Sequence, residues 1–530
     1  MHKPDRKIDL QRAPLYPFLF AFEVILIPLV HNLDQADPVQ ALKPLGLLML
    51  VTAICLVLFT FLFKERLYAA YLTFLLIIYF GVFSYINRFA QDLVSSFERR
   101  LDEPVFLLII SCVICLLANK WVWAHLGGHT WLTSYLNLVI ALGLLVPVFQ
   151  LASQLLDHPL QTVKVPENPT TGAAELSLDC SYRPDIYYII LDGYGRADML
   201  ADLYDLDNTA FIDYLQQKGF YVASQSYANY VQTTYSTLSS LNFDYIQLPG
   251  EDVNRASYFA SLMRRNRIMA ALKGCGYLTM AFESGFFFTE HLAVDTFLAH
   301  GIGANEFESL LLADSPVEVL AQKLNAEVSE YNYAAHRQRV LYSFKKLGEL
   351  PRLPGPKFIF AHIVSPHPPF VFDQSGQPVE PQWSYYLGDG DDFQGSLADY
   401  LAGYRAQIAF VNQEVQQTVD LILENSSSPP VIILQGDHGP GSRLVWDASQ
   451  QTCLWERTPI LNAYYLPEEG KRLLYPSISP VNTFRLVLNT NFSAHLPYLP
   501  DISYFTTYEY DQQAIDITAE RSSQANCETP

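Results

Sequence analysis

Basic residues are scarce in this chain. Of 530 residues, 34 are Lys or Arg and 54 are Asp or Glu, for a net charge of −20. Binding to a nucleic-acid backbone needs clustered Lys and Arg, so nucleic acid is excluded as a partner. An anionic substrate held by a metal ion is not excluded. Cysteine is also scarce, with seven in all. Cys180, Cys275, Cys453 and Cys527 are scattered and lack the spacing of a zinc ribbon. Cys55, Cys112 and Cys115 lie in apolar stretches and read as small core or lipid-facing residues, the C-x-x-C spacing of the last two being coincidental. Disulfides can form outside the cytoplasm, but spacing alone does not pair these residues. There is no internal repeat. The first apolar segment lacks a small-residue cleavage site and is expected to be an anchor rather than a cleaved signal peptide.

What the chain has in quantity is hydrophobic residues, at 50%, and they are unevenly placed. Five apolar stretches come first, at 16–33, 41–63, 67–87, 104–119 and 131–151. The second is long enough to cross a bilayer as a helix of about 20 residues, whereas the first carries Glu23 and the fourth is short. The first 160 residues hold 11 basic and 11 acidic side chains, so the whole negative charge belongs to the remainder. Lys3, Arg6, Lys7 and Arg12, then Lys64 and Arg66, then Lys120 form one cytoplasmic set under the positive-inside rule. Lys43, Arg88, Arg99 and Arg100 fall on the other side. Five spans with the N-terminus inside leave everything after about 155 outside, in the plasma or inner membrane. The expected organisation is a transmembrane helical domain at 1–155, a Pro-containing linker at 156–183, an external domain at 184–510 and a disordered polar tail at 511–530.

Beyond 184, short β-rich apolar runs alternate with helical segments. The runs are 186–191, 277–282, 358–364, 431–435 and 460–466, and the helical segments are 208–218, 257–273, 316–347 and 398–424. Continuous apolar strands separated by helices predict a sheet buried on both faces, an α/β/α sandwich. Ligands in such sheets bind at the carboxyl ends of the strands. The first run ends at Asp192-Gly193, the third leads into Ser365-Pro366-His367-Pro368-Pro369, and the fourth ends at Gly436-Asp437-His438-Gly439. Carboxylates and a histidine converging from different strands would make a divalent-metal site. Asp-Gly alone is equally a turn. Asp437-His438, between a buried strand and glycine, is the stronger signal. The hydroxyl-rich segment around Thr233 and Thr234 reads as a helix start capped by one of them, where positive potential favours an alkoxide and an anion alike. His362 lies within a strand and reads as a core histidine, whereas His367 follows a strand end between prolines that fix its loop. Glu283, His291 and His300 have no assigned role.

This ordered set resembles the alkaline phosphatase and sulfatase superfamily over about 184–510. Within it the set is similar to membrane sulfatase-like proteins such as lipoteichoic acid synthases and lipid A phosphoethanolamine transferases. The resemblance implies an alkaline phosphatase-like α/β/α sandwich preceded by about five transmembrane helices. It implies that Asp192, Thr233, Asp437 and His438 hold one divalent ion (Mn, Mg or Zn). It makes Thr233 the nucleophile, with Thr234 as the alternative register, and His367 the substrate-side histidine. No C/S-x-P-x-R segment of the kind that matures to formylglycine is present, and the further Asp and two His of a second zinc site are missing. Phosphate-ester chemistry on a membrane lipid or envelope glycan is therefore expected, by hydrolysis or transfer. The alternatives are a sulfuric ester hydrolase and a catalytically silent membrane sensor or scaffold that keeps the fold. Tyr404-Arg405 and Arg457-Thr458-Pro459 look familiar but carry no assigned role.

Overall fold

The computed structural model describes residues 13–31, 41–95, 130–157, 176–248, 255–290, 292–300, 311, 328–383, 385–507 and 514–528. The chain divides into two compact units, 1–162 with 304–328 and 163–303 with 329–530.

The first unit contains the helices Tyr16–His31, Leu42–Phe63, Arg66–Ser95 and Thr130–Asp157. Two of the described helices are long and apolar enough to cross a membrane, Leu42–Phe63 and the stretch Thr130–Ser153, while Tyr16–Val30 and Arg66–Gly81 are shorter apolar segments. The apolar stretch at 104–119 lies outside the described residues. Ile25, Leu26 and Leu29 of the first helix pack with Leu144 of the last. Tyr16 stacks edge-on to Phe74 at 5.1 Å. The Asn137 side chain caps the first helix from outside, accepting from the Leu15 and Tyr16 amides at 3.0 and 2.8 Å and donating to the Ala13 carbonyl. The outward faces are apolar: Leu47, Leu50, Ile54, Val57 and Phe61 are exposed on one helix, and Leu138, Leu142, Leu145 and Phe149 on another.

The second unit is built on a seven-stranded sheet. Its strands are β1 (Ile186–Leu191), β2 (Tyr221–Val222), β3 (Leu278–Phe282), β4 (Thr296–Leu298), β5 (Lys357–Ile363), β6 (Val431–Gln435) and β7 (Asn462–Tyr465). They lie in the order β2-β7-β6-β1-β5-β3-β4. β1 pairs in parallel with β5 and β6, and β7 returns antiparallel to β6. Both faces of the sheet are covered, which is why the strands read as unbroken apolar runs. Ile186, Tyr188 and Ile190 enter one core with residues of the helices Thr233–Asn242 and Pro480–Phe492. Tyr187, Ile189 and Leu191 enter the other with residues of Val328–Glu349 and Leu397–Asn425. This is the α/β/α sandwich that the alternation of apolar runs and helical segments predicts.

Three expectations change. The segment 257–273 is two helices, Arg255–Arg264 and Arg267–Gly274, because the Asn266 side chain caps the second by accepting from the Met269 amide. The helix at 233 is capped by neither threonine: Gln232, in extended conformation, is its N-cap and Thr233 its first residue. The tail expected to be disordered is ordered over 514–528. Ile515–Asp516 pairs with Tyr504–Phe505, and Cys527 bonds to Cys453. A polar composition hid this anchor because it rests on one disulfide and a single buried apolar side chain, Ile517, packed with Val231, Leu454 and Phe505. A second disulfide joins Cys180 to Cys275, so all four cysteines of this unit are paired. The Cys453–Cys527 bond spans 74 residues, and its loss should lower stability by about 4 kcal/mol in the chain-entropy account. Thermal unfolding of a Cys453→Ser/Cys527→Ser variant beside wild type measures this. An unchanged midpoint would mean the tail contributes nothing to the fold.

Candidate metal centre

The three sequence segments singled out for chemistry meet at the carboxyl ends of β1, β5 and β6. Asp192 follows β1, His367 lies four residues beyond β5, and Asp437 and His438 follow β6. One ligand-type atom from each of Asp192, Asp437 and His438 lies within 4.8 Å of the others, and all three residues are buried. Thr233 joins them from the first position of its helix, with Oγ1 3.0 Å from His438 Nε2. Among the described residues, Thr234 Oγ1 has no such contact with the cluster, and its neighbour Ser236 ties the helix to the site by donating to the Asp437 carbonyl at 2.7 Å.

Each acid uses one oxygen for orientation and leaves the other free. Asp192 Oδ2 faces His362 Nε2 at 3.0 Å, and Asp437 Oδ1 accepts from the Gly193 amide at 3.1 Å. Asp192 Oδ1 and Asp437 Oδ2 are buried without a hydrogen-bond partner. Two orphaned carboxylate oxygens aimed at one point are costly unless a cation compensates them. His438 turns Nδ1 to the Gly439 carbonyl at 2.9 Å, which fixes the proton there and leaves the Nε2 lone pair for the same point. Burial and the Arg457 guanidinium hold the pKa of His438 below its ordinary value, so the ring is neutral, as ligation requires. Burial opposes ionisation of Asp192, but the surrounding His367, His362 and His438 outweigh it and keep the group a carboxylate. The donor set of two carboxylates, one imidazole and one hydroxyl suits a divalent cation of borderline or hard character.

The glycines flanking Asp437-His438 are required by close approach. A Cβ at Gly436 would run into the Tyr194 carbonyl and one at Gly439 into the Glu456 carbonyl. Gly193, at φ +73°, adopts a left-handed turn against His367. His367 is anchored at its amide by the Asp192 carbonyl (3.0 Å) and at Nδ1 by the Pro368 carbonyl (2.6 Å). Its Nε2 points past Asp389 Oδ2 at 3.7 Å. Burial disfavours its imidazolium, yet Asp192 and Asp389 together raise its pKa above the ordinary value.

Sequence reasoning missed several residues of the site. His362 is a buried histidine as expected, but its partners are Asp192 and, at Nδ1, the Thr289 hydroxyl at 2.9 Å, so it steers a candidate ligand. Tyr404 accepts from the Gly195 amide and donates to the Gly193 carbonyl, bracing the turn after β1. Arg457 is 1% exposed, pairs with Asp389 Oδ2 at 2.5 Å and places Nη2 3.3 Å from His438 Nε2. Only the R-T-P context before β7 hinted at it. Asp389, in a Gly/Asp-rich loop, carried no signal. Glu283 accepts from the His300 amide at 2.9 Å, and His291 lies outside the described residues.

Asp389 also receives the Tyr400 hydroxyl at 2.7 Å. Burial opposes its charge, but Arg457 and His367 outweigh that and hold its pKa below the usual carboxylate range. Removing it strands a buried guanidinium, so Asp389→Ala should cost about 3–5 kcal/mol in denaturant unfolding. Because the folded-state pKa is depressed, this stability is present above the unfolded value of about 3.9 and is lost as pH falls through the folded one. An Asp389→Ala protein with wild-type stability at neutral pH would show that the pair is energetically idle.

Residues 184–475 match the sulfatase family model. No curated protein sequence matches the chain. Among solved structures, the periplasmic domain of EptC from Escherichia coli in complex with Zn is 11% identical, with a TM-score of 0.43 over 66% of this chain and 96% of that one. The lipoteichoic acid synthase LtaP from Listeria monocytogenes is 13% identical, with a TM-score of 0.37 over 66% and 91%. The integral membrane lipooligosaccharide phosphoethanolamine transferase A from Neisseria meningitidis is 10% identical, with a TM-score of 0.37 over 92% and 96%. With a family match over more than half its length, on the α/β sheet domain described above, this chain belongs to the sulfatase family.

Proposed function

We propose that the protein is a membrane-anchored, metal-dependent hydrolase or transferase of phosphate esters that works through Thr233 as a nucleophile. The observation that carries this reading is the position of the Thr233 hydroxyl. It sits at a helix N-terminus, 3.0 Å from His438 Nε2, beside two orphaned carboxylate oxygens. Asp192, Asp437, His438 and Thr233 would hold one divalent ion. Bound there, the ion supplies Lewis-acid polarisation of the substrate and a lowered pKa for the threonine hydroxyl.

The protein's own groups account for the remaining steps. The helix N-terminus favours both the Thr233 alkoxide and the incoming anion. Thr233 Oγ1 attacks phosphorus, the bond from phosphorus to the leaving oxygen breaks, and His367 Nε2 supplies a proton to that oxygen. The product on the enzyme is a phosphothreonine ester. Water or an acceptor hydroxyl then attacks the same phosphorus, the bond to Oγ1 breaks, and the threonine is restored. His367 suits its task because the Pro368 carbonyl holds its Nδ1 and leaves Nε2 to face the leaving oxygen.

The anchor and its orientation rest on separate observations. An apolar helix whose outward side chains are Leu47, Leu50, Ile54, Val57 and Phe61 buries too little of itself to be the core of a soluble unit. With the spans at 16–33, 67–87 and 104–119 counted, five crossings carry the 184–510 domain outside. The two disulfides of the C-terminal unit agree, since they persist in oxidising compartments. The substrate is then a membrane lipid or an envelope glycan.

Tandem mass spectrometry of the Thr233 peptide from protein isolated in its native membranes tests the chemistry. The expected result is a covalent adduct on Thr233, enriched when the second displacement is slowed. High-resolution mass separates a phosphoryl from a sulfuryl group and so decides against the sulfate-ester reading or for it. An adduct on Thr234 would move the nucleophile by one residue. Absence of any adduct under trapping conditions, together with unaltered turnover in Thr233→Ala, would remove Thr233 as the nucleophile, and absence of turnover in wild type as well would leave only a silent scaffold.

A further inference from the structure

The helix Val328–Glu349 turns Tyr333, Val340, Phe344 and Leu347 into the core beneath the sheet. Two basic residues share that buried side. His336 is 0% and Arg339 7% exposed, three positions apart and therefore neighbours on the helix surface. A buried guanidinium normally has a carboxylate partner. Arg339 forms no ion pair with any described residue. Its Nη2 donates to the Tyr385 hydroxyl at 3.2 Å, and its Nε is shielded from solvent with no partner at all. Glu290, whose charge acts on Arg339, turns its own Oε1 to the amides of Ser284 and Gly285.

The place of this arginine matters. Its guanidinium lies flat on Gly285, where a Cβ would come within 2.7 to 2.9 Å of Nη2, Cζ and Nε. Gly285 is in the turn that leaves β3 at the carboxyl edge of the sheet, and β3 is the direct neighbour of β5, whose exit carries His367. His336 links the two groups. Its Nδ1 is 3.3 Å from the Tyr385 hydroxyl, and its ring is near enough to Asp192, His367 and Arg339 to feel their charges. Burial pushes its pKa down to about 3, so it is neutral and does not compete with Arg339 for an anion.

We infer that Arg339, held by Tyr385 and flanked by His336, is an anion subsite beside the metal centre that receives a tetrahedral oxyanion of the substrate other than the reacting ester. The ligand chemistry is a phosphate or sulfate group, from a lipid headgroup or from a glycan substituent. The Nε–H and the remaining Nη–H groups provide the planar fork that such an oxyanion matches. This assignment deepens the phosphate-ester reading and depends on it for the word substrate, but its test does not depend on turnover.

The full chain in detergent, stripped of metal with EDTA, is titrated by calorimetry with inorganic phosphate and with inorganic sulfate. Removal of the ion leaves two unpaired carboxylate oxygens at the metal centre, which repel an anion there. Wild type is expected to bind both probes, Asp437→Asn at least as tightly because it removes a repelling charge, Arg339→Gln at least about ten-fold more weakly, and Arg339→Lys in between. Equal binding by Arg339→Gln and wild type, or no binding by wild type, overturns the inference whatever happens to activity. If circular dichroism shows that Arg339→Gln does not fold, Tyr385→Phe decides. It should weaken binding about three-fold by freeing the guanidinium, and unchanged affinity would refute the subsite. Displacement of bound phosphate by phosphatidylglycerol micelles identifies a lipid source, and displacement by a soluble sulfated oligosaccharide a glycan source. Displacement by neither rules out a substrate role. Failure of the Thr233 chemistry would appear as lost adduct and lost turnover with these affinities intact.

Discussion

Thr233→Ala is expected to lower kcat by roughly 10⁴- to 10⁶-fold, the range for removal of a covalent nucleophile in a preorganised site. The substitution deletes one hydroxyl and one methyl from a side chain that is 8% exposed, so the helix from 233 to 242 should keep its place. Its cap is Gln232, which does not depend on the threonine hydroxyl, and Ser236 still ties the helix to the Asp437 carbonyl. Activity should therefore collapse while the melting temperature moves by no more than a few degrees. Thr233→Ser keeps the oxygen and should retain a measurable fraction of kcat. The adjacent Thr234→Ala is the control for register, since its hydroxyl does not meet His438 among the described contacts. A Thr234→Ala protein that loses activity while Thr233→Ala keeps it would invert the assignment. Steady-state turnover of an aryl phosphodiester by the three purified variants decides the matter.

Metal removal has the second largest expected effect. Asp437 Oδ2 and Asp192 Oδ1 are buried, partnerless and close together, an arrangement that is repulsive when no cation lies between them. Dialysis against a chelator should abolish turnover, and readdition of one equivalent of Zn²⁺, Mn²⁺ or Mg²⁺ should restore it. Binding to the folded state alone should also raise stability, by about 4 kcal/mol at a thousand-fold excess over Kd. Asp437→Asn removes the charge with little change in volume and keeps an oxygen for the Gly193 amide. Its prediction is a loss of metal affinity of at least about 100-fold, beyond the 10- to 100-fold typical of residues that only support a ligand. His362→Ala, which acts only by steering Asp192, should fall within that smaller range. Metal content by emission spectroscopy and the melting shift on readdition read both. Wild-type metal affinity in Asp437→Asn would refute the proposed ligand set.

Parts of this site were legible along the chain because they depend on local chemistry. A run of six apolar residues followed by Asp-Gly, and another of four followed by Gln-Gly-Asp-His-Gly, announce buried strands that deliver polar groups at their ends. The hydroxyl cluster at 233–240 announces a helix start, although its cap was misassigned, because an extended Gln232 backbone can serve as cap without a side-chain bond. The prolines around His367 announce a fixed loop. The apolar helices at 42–63 and 130–153 are plain from composition.

Other residues have no sequence signature because their roles depend on partners more than 60 residues away. Asp389 meets Arg457 across 68 residues, His362 meets Asp192 across 170, and Cys453 meets Cys527 across 74. An isolated Asp or His in a loop or strand looks the same whether it is solvated, satisfied or steering a ligand. Only its neighbours in space decide, and they are set by sheet order. With β1 central and β5 and β6 on either side, three distant strand ends open on one point. By itself the sequence determined the period and burial of the strands, the chemistry available at their ends and the apolar helices, because each follows from side-chain polarity over a few residues. The tertiary structure alone decided which oxygens are left without partners, which threonine reaches His438, and that Arg339 is buried without a carboxylate. Those depend on distances between chain segments, which polarity and spacing do not encode.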